Sequence, residues 1–262
     1  MRTHLFGVNL LWVLGLMTLL WLYSVWRKDA SIVDPWWSIG FWVVYTRTVL
    51  ATGLTLGKEA LWIAVTAWAW RLAVHLWIRA RGRPEDPRYQ AFRQRFGPER
   101  YWWISYFQVF LLQGTLVWII SAPLQLAGSV EPPDGLAWND WAGLALIAVG
   151  LGFEAVADWQ LTRFRNDPAM KGRVLDTGLW RYSRHPNYFG EAVLGWGFWL
   201  SALDVPGGLA TVFAPALMTF LLLRVSGVTM LDKHLKRTRP GYDDYIQSTS
   251  SFFPWPPRRG RS

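Results

Sequence analysis

Residues 178–191, GLWRYSRHPNYFGE, carry the densest set of reactive side chains in this sequence. Fourteen positions hold two Arg, one His, one Asn, two Tyr and one Glu, and an apolar, Trp-rich segment follows from Ala192. Polar groups at the mouth of a membrane segment are costly unless they bind something. We therefore expect the chemistry of the protein to lie in this segment.

Polar side chains occur in two pairs, and the two members of each pair are four residues, or about one helical turn, apart. Glu154 and Asp158 lie at the end of one apolar block, and Asn187 and Glu191 lie at the start of another. Because side chains four residues apart share a helix face, each pair should project in one direction, and both at a similar depth. Pro186 suits a first helical turn, whose free N–H groups favour an anion.

Basic residues beside that helix start predict a nucleotide ligand. Arg181, Arg184 and His185 would face the phosphates, while the flat ring would reach down toward an internal polar cavity. Lipid headgroups are the alternative ligand for the two Arg. A Rossmann fingerprint is absent, since Gly150 and Gly152 lack a third glycine, and small-residue helix packing explains them better. The nucleotide would therefore bind in a membrane-embedded cavity.

The composition predicts an integral membrane protein. The chain has 262 residues, of which 52% are hydrophobic, and it contains 20 Trp, a residue that favours the interface between lipid and water. Seven apolar blocks are each long enough to cross a bilayer core of about 30 Å. The blocks are Leu5–Trp26, Pro35–Leu54, Ala60–Ile78, Tyr106–Gln125, Trp138–Ala157, Asn187–Leu203 and Leu209–Met230.

Charge orients the seven predicted transmembrane helices. Most of the 27 Lys and Arg follow the first, third, fifth and seventh blocks, whereas the opposite loops hold Arg2 and Lys58. The positive-inside rule then places the N-terminus outside and the C-terminus in the cytoplasm. We expect one all-α domain over residues 1–262, motif-rich over about 138–257, in a bacterial inner membrane with the cofactor site on the cytoplasmic side.

Other classes of ligand are disfavoured. The net charge of +9 is explained by the cytoplasmic loops, so no nucleic acid is expected. The sequence has no Cys and only four His without metal-ligand spacing, so no metal is expected. Ionisable residues in or beside the blocks predict an internal polar cavity, although Arg47 and Arg224 could instead extend to the surface. These residues are Asp34, Arg47, Arg71, His75, Glu154, Asp158, Glu191 and Arg224.

Gly178–Glu191 resembles the steroid 5-alpha-reductase C-terminal family, including its bacterial branch of membrane proteins. Other stretches are also similar: Asp158 with Arg165, Arg224, Arg239-Pro-Gly-Tyr-x-x-Tyr245, Phe253-Pro254, Arg81-Gly-Arg83-Pro and Leu112-Gln113-Gly114. The resemblance implies seven transmembrane helices, bound NADPH and reduction of a carbon–carbon double bond conjugated to a ketone. The substrate would be lipophilic, steroid-like or isoprenoid-like, and would enter from the bilayer among the membrane lipids.

The resemblance also implies roles for individual residues. Contacts with NADPH fall on Asp158, Arg165, Asn187, Glu191 and Arg224, and extend to Arg181 and Tyr182. The catalytic acid falls near Asp34. Hydride attack on an enone builds negative charge on the carbonyl oxygen, and a buried Asp with a raised pKa could stay protonated and donate to that oxygen. A helix cap is the alternative role of Asp34, because Asp-Pro commonly starts a helix.

The sequence departs from the animal enzymes at three places. They have a Gln-Glu pair where this chain has Asp34-Pro35, and their catalytic Tyr has no counterpart near Trp68, Trp70 and Arg71. Their His-rich run is replaced by Ser226–Met230. Steroid specificity is affected more by these departures than cofactor binding is.

Two other functions stay open. Membrane methyltransferases that use S-adenosylmethionine on isoprenylcysteine or phospholipid amines share the Arg-His-Pro-x-Tyr-x-Gly core, although Asn187 and Glu191 favour the reductases. A non-enzymatic lipid-binding protein would bind neither cofactor, and would leave the two polar pairs without a role. The cofactor that raises the melting temperature in detergent distinguishes the three.

Overall fold

The computed structural model describes residues 2–130, 135–225 and 228–258, and every regular element in these ranges is helical. Within these ranges, four helices are long and apolar enough to cross a membrane. They are α1 (Arg2–Arg27), α3 (Leu56–Ala80), the continuous helix Pro98–Ile120 and α8 (Trp138–Asn166). The prediction of an all-α protein with membrane-type helices is confirmed.

Three predicted spans correspond to shorter helices. They are α2 (Trp36–Thr52, 17 residues), α9 (Pro186–Leu200, 15 residues) and the apolar helix Leu209–Val225. At 1.5 Å per residue, 15 to 17 residues rise only about 22–26 Å, which is less than the bilayer core. The count of seven spans and the orientation of the termini therefore stay predictions.

Helix boundaries differ from the apolar blocks at the polar ends. The fourth helix begins at Pro98 as α5 (Pro98–Ser105), passes through a π-helical stretch and ends as α6 (Leu112–Ile120), while α7 (Ala122–Ser129) is separate. The helix α8 continues past Ala157 to Asn166. Apolar composition marks the extent of lipid contact, whereas a helix continues into water where Pro starts it or Arg stabilises its last turn.

The helices group into two compact units, and one domain over residues 1–262 stays a prediction. The first unit comprises residues 1–137 and 202–211 and is built from α1 to α7. Its short helix α4 (Pro87–Phe96) begins where Asp86 accepts a hydrogen bond from Arg88 N at 3.0 Å. This helix occupies the charged stretch 83–100, where a short helix was expected.

A buried polar network joins helices of the first unit. Arg47 donates to Asn9 Oδ1 at 2.7 Å, and Asn9 donates to Thr48 Oγ1 at 3.0 Å and to Gln125 Oε1 at 3.1 Å. The Arg47 guanidinium also lies 5.3 Å from the centre of the Trp12 ring. Arg47 is therefore held by partners inside the unit.

The second unit comprises residues 138–201 and 212–262. It contains α8, α9, α10 (Phe213–Phe220), α11 (Val228–Thr238) and α12 (Tyr242–Ser248). Within it, α8 and α9 pack antiparallel, with Gly150 against Gly190 and Gly143 against Gly197. A Cβ atom on Gly150 would lie 2.5 Å from the carbonyl oxygen of Gly190. Small-residue packing, the predicted explanation of Gly150, is confirmed.

We expect Gly150→Ala to lower the free energy of unfolding by about 1–3 kcal/mol, because the added methyl meets backbone that cannot rotate away. Thermal unfolding of the purified protein in detergent measures the change. Gly152→Ala is the matched control, since a Cβ atom at Gly152 has no neighbour within 4 Å. Alanine at Gly152 should stabilise the same helix slightly. Equal effects of the two variants would contradict the close contact.

Candidate functional site

The polar seam consists of Glu154 and Asp158 on α8 and Asn187 and Glu191 on α9. The amide of Asn187 donates to Asp158 Oδ1 at 3.2 Å. The three carboxyl residues are buried, with Glu154 2%, Asp158 5% and Glu191 9% exposed. The two pairs predicted from their spacing therefore lie on neighbouring helices of one unit, in direct contact through Asp158 and Asn187.

The glycine packing positions this seam. A Cβ atom on Gly190 would lie 2.7 Å from the backbone nitrogen of Glu154, so the backbones approach closely beside the polar side chains. Pro186 occupies the first turn of α9, where its missing N–H is no loss, and Asn187 and Glu191 follow one turn apart. Short side chains such as Asn and Asp can reach each other only where two backbones are this close.

The other predicted cofactor residues lie on the exposed surface of the second unit. Arg181 and Tyr182 end the 3-10 turn before α9, Arg165 lies in the last turn of α8, and Arg224 lies in the π-helical stretch Leu221–Val225. All four are exposed, and Tyr182 is 43% exposed. Their contacts with a dinucleotide stay predictions.

A cluster that we call the C-terminal clasp unites the buried residues Arg184, His185 and Tyr242 with the partly buried Asp232. Arg184 donates to Asp232 Oδ2 at 2.7 Å, and Tyr242 donates to Asp232 Oδ1 at 2.6 Å. His185 Nε2 lies 3.0 Å from the same Oδ1. The prediction that Arg184 and His185 receive an anionic ligand is corrected, because both are buried and bind this carboxylate.

The clasp fastens the C-terminal tail to the loop before α9. Arg184 also donates to the carbonyl oxygens of Ile246 at 3.2 Å and Thr249 at 2.5 Å. Ser183 Oγ donates to the carbonyl oxygen of Phe252 at 2.7 Å, and Tyr245 donates to that of Trp180. The Pro-rich tail therefore packs on a loop of its own unit.

The hydrogen-bond donors around Asp232 keep its carboxyl group ionised. Burial by itself would raise the pKa of Asp232, but hydrogen bonds from His185, Arg184 and Tyr242 outweigh it and hold that pKa well below its usual range. Burial and the neighbouring carboxylate raise the pKa of Tyr242, so this hydroxyl keeps its proton. No role was predicted for Asp232 from the sequence, and Tyr242 was noted only as part of the Arg-Pro-Gly-Tyr motif.

The first unit holds a second acidic site, around Asp34. Arg88 lies 2.7 Å from Asp34 Oδ2, and the Tyr89 hydroxyl donates to Asp34 Oδ1 at 2.6 Å. Gln113 donates to that hydroxyl at 3.3 Å. The N-cap of α2 is Pro35, without a side-chain hydrogen bond, so the cap is not the role of Asp34.

Burial raises the pKa of Asp34, and this effect exceeds the opposing effects of Arg88 and Tyr89. Burial and the neighbouring Asp34 also raise the pKa of Tyr89. The sequence prediction did not include Arg88 or Tyr89, which were assigned only to a charged loop. Gln113 was noted in a family-like motif but without a role. The described residues include no group of three or more His, Asp and Glu arranged to hold a metal ion.

Comparison with known proteins covers both units. The family described as "Protein of unknown function (DUF1295)" matches residues 20–249. An uncharacterized protein of Schizosaccharomyces pombe, C594.04c, is 28% identical over 282 residues, which cover 97% of this chain and 80% of that protein. No solved structure matches the chain. The family match includes every predicted site residue.

We expect Asp232→Asn to lower the free energy of unfolding by about 3 kcal/mol at neutral pH, because Arg184 would keep a buried charge without its counter-ion. The pKa of Asp232 is lower in the folded than in the unfolded protein. Its contribution to stability is therefore complete at pH values above the ordinary carboxyl pKa of 3.8. The contribution is lost as the pH falls through the folded pKa. Thermal unfolding across pH measures both effects.

Asp243→Asn is the matched control for the clasp. Asp243 pairs with Lys236 at 2.9 Å, but both side chains are more than half exposed. Such a surface pair contributes at most about 1 kcal/mol. The clasp would lose its assigned role if the two variants unfolded at the same temperature.

Proposed function

The chain belongs to the DUF1295 family, and we propose that it is a membrane-embedded reductase that uses NADPH. Its substrate would be a steroid-like or isoprenoid-like ketone with a conjugated carbon–carbon double bond, entering from the bilayer. The observation that carries the proposal is the polar seam, in which Asn187 and Asp158 meet at 3.2 Å beside the buried Glu154 and Glu191. The resemblance of Gly178–Glu191 to the steroid 5-alpha-reductase family supports the same reaction.

The chemistry of the seam suits a dinucleotide. The carboxyl oxygens and the amide of the seam are hydrogen-bonding groups of the kind that bind the ribose hydroxyls and the carboxamide of a dinucleotide such as NADPH. Exposed Arg165 and Arg181 lie on the same unit and offer planar guanidinium groups, which favour phosphates such as the 2′-phosphate of NADPH. Arg184 is assigned to the clasp and is not part of this proposal.

The proposed acid is Asp34. NADPH would supply a hydride to the β-carbon of the enone. Negative charge then gathers on the ketone oxygen, and a hydrogen-bond donor aimed at that oxygen lowers the barrier. The raised pKa of Asp34 increases its protonated fraction, and Arg88 and Tyr89 fix the orientation of its carboxyl group. The α-carbon would take its proton from solvent or from a neighbouring acid.

Cofactor binding is tested by the melting temperature of the purified protein in detergent. NADPH at about 100 times its Kd should stabilise the protein by about 2.7 kcal/mol. Glu191→Gln keeps the shape of the side chain but removes its charge, and it should weaken NADPH binding about tenfold, the effect of losing roughly 1.4 kcal/mol. Glu99→Gln is the control, because that side chain is 68% exposed.

The same assay separates the alternatives. A melting temperature raised by S-adenosylmethionine and not by NADPH would replace the reductase with a methyltransferase. Stabilisation by neither cofactor would favour a non-enzymatic lipid-binding protein. Equal binding of NADPH by the Glu191→Gln variant and the wild type would remove the polar seam from the cofactor site.

Turnover tests Asp34. We expect Asp34→Asn to slow NADPH oxidation by about 100-fold or more with the enones progesterone and pseudoionone as probes, while NADPH binding is retained. Asp86→Asn is the matched control, because Asp86 also binds Arg88, at 2.9 Å, and has no proposed role in catalysis. Unchanged turnover by Asp34→Asn with intact NADPH binding would exclude the acid role.

A further inference from the structure

Residues 178–182 of the second unit form a short turn before α9, which we call the Arg181 turn. The side chains of Arg181 and Tyr182 are exposed, whereas Trp180 is only 8% exposed. Hydrogen bonds within so short a 3-10 helix are few and of poor geometry, so its shape depends on contacts with other elements.

Gln160 of α8 holds the start of the Arg181 turn. Its Oε1 atom accepts a hydrogen bond from Leu179 N at 3.0 Å. Gly178 has a φ of 61°, a left-handed conformation that favours Gly. Its missing side chain also leaves room for the Gln160 amide, because a Cβ atom on Gly178 would lie 2.4 Å from Gln160 Nε2. Gln160 and Gly178 therefore form one close contact between α8 and the turn.

Trp180 makes a second attachment to α8. Its indole N–H donates to the carbonyl oxygen of Ala157 at 3.1 Å. Ala157 and Gln160 lie on either side of Asp158 in the sequence, and Asp158 is the residue of the polar seam that accepts from Asn187. The Arg181 turn is therefore fixed to the same part of α8 as the polar seam.

The C-terminal tail holds the Arg181 turn through main-chain oxygen atoms. Tyr245 donates to the carbonyl oxygen of Trp180, and Trp255 N donates to that of Tyr182 at 3.0 Å. Thr249 Oγ1 donates to the carbonyl oxygen of Arg181 at 3.5 Å. None of these bonds uses the side chain of Arg181 or Tyr182, so the backbone of the turn is fixed while both side chains are exposed.

We propose that Gln160 is a positioning residue that makes the protein prefer NADPH to NADH, an inference that rests on the function proposed above. A ligand that binds an exposed Arg must order a long side chain, and a backbone that is already fixed lowers that entropic cost. The planar guanidinium of Arg181, presented from the fixed turn, would bind the 2′-phosphate of NADPH. NADH has no 2′-phosphate, so a looser turn should weaken the binding of NADPH and leave that of NADH unchanged.

The test measures the Kd values of NADPH and NADH for the full-length protein in detergent, by energy transfer from its Trp residues to the bound nicotinamide. We expect Arg181→Met to weaken NADPH binding about 10- to 100-fold, the effect of losing hydrogen bonds to a charged group. Gln160→Met, which keeps the length of the side chain but removes the acceptor for Leu179 N, should weaken it about three- to tenfold. The Kd of NADH should stay unchanged in both variants. Gln247→Met is the matched control, because Gln247 is exposed on α12.

A double variant tests whether Gln160 acts through Arg181. Once Arg181 is replaced by Met, Gln160→Met should have no further effect on NADPH binding, because both changes remove the same contact with the 2′-phosphate. Additive effects of the two changes would overturn the positioning role. Equal weakening of NADPH and NADH binding by Gln160→Met would also overturn it and would assign Gln160 to the fold alone.

Two further measurements keep the inference separate from folding and from the proposed function. Trp180→Phe removes the bond to Ala157 and should act in the same direction as Gln160→Met, so it supplies the answer if Gln160→Met does not fold, as judged by its melting temperature without nucleotide. Equal Kd values of NADPH and NADH for the wild type, or unchanged NADPH binding by Arg181→Met, would overturn only the inference. Binding of neither nucleotide by the wild type would overturn the proposed function as well.

Discussion

The approach of α8 to α9 at Gly150 and Gly190 is the constraint on which the polar seam depends. Helices in a bilayer gain little from burying apolar surface against each other, so close backbone packing and buried hydrogen bonds must hold them together. The paired glycines bring the two backbones close enough for the side chain of Asn187 to reach Asp158. A larger residue at either glycine would separate the helices and break the hydrogen bond from Asn187 to Asp158.

The C-terminal clasp holds the loop that leads into α9. A buried Arg is tolerated because Asp232 and two carbonyl oxygens accept from Arg184, and the tail adds a bond from Trp255 N to the Tyr182 carbonyl oxygen at 3.0 Å. The loop before α9 is therefore held by residues that lie 47 or more positions later in the chain. Arg184 is buried, whereas Arg181 of the same loop is exposed.

Sequence periodicity could predict what lies on one helix, but not what pairs across the chain. The spacing of Glu154 with Asp158 and of Asn187 with Glu191 follows from 3.6 residues per turn, and the structure places both pairs on neighbouring helices. Nothing in the spacing linked Arg184 to Asp232, because that contact depends on the path of the intervening helices. For the same reason, Arg88 and Tyr89 were not connected with Asp34. Helix ends differed from the ends of apolar blocks because apolar composition marks lipid contact and not the end of the helix.

Asp34 and Asp232 have the same side chain, but their surroundings shift their pKa values in opposite directions. Asp232 has Arg184, His185 and Tyr242 as partners, so its pKa is lowered and it stays ionised as a permanent anchor. Asp34 has Arg88 and Tyr89, but burial prevails and its pKa is raised. A carboxyl group whose two protonation states lie closer in free energy can exchange a proton during a reaction, whereas a locked carboxylate cannot. Of these two acids, Asp34 is therefore the better candidate for the proposed acid, because burial raises its pKa despite the ion pair with Arg88.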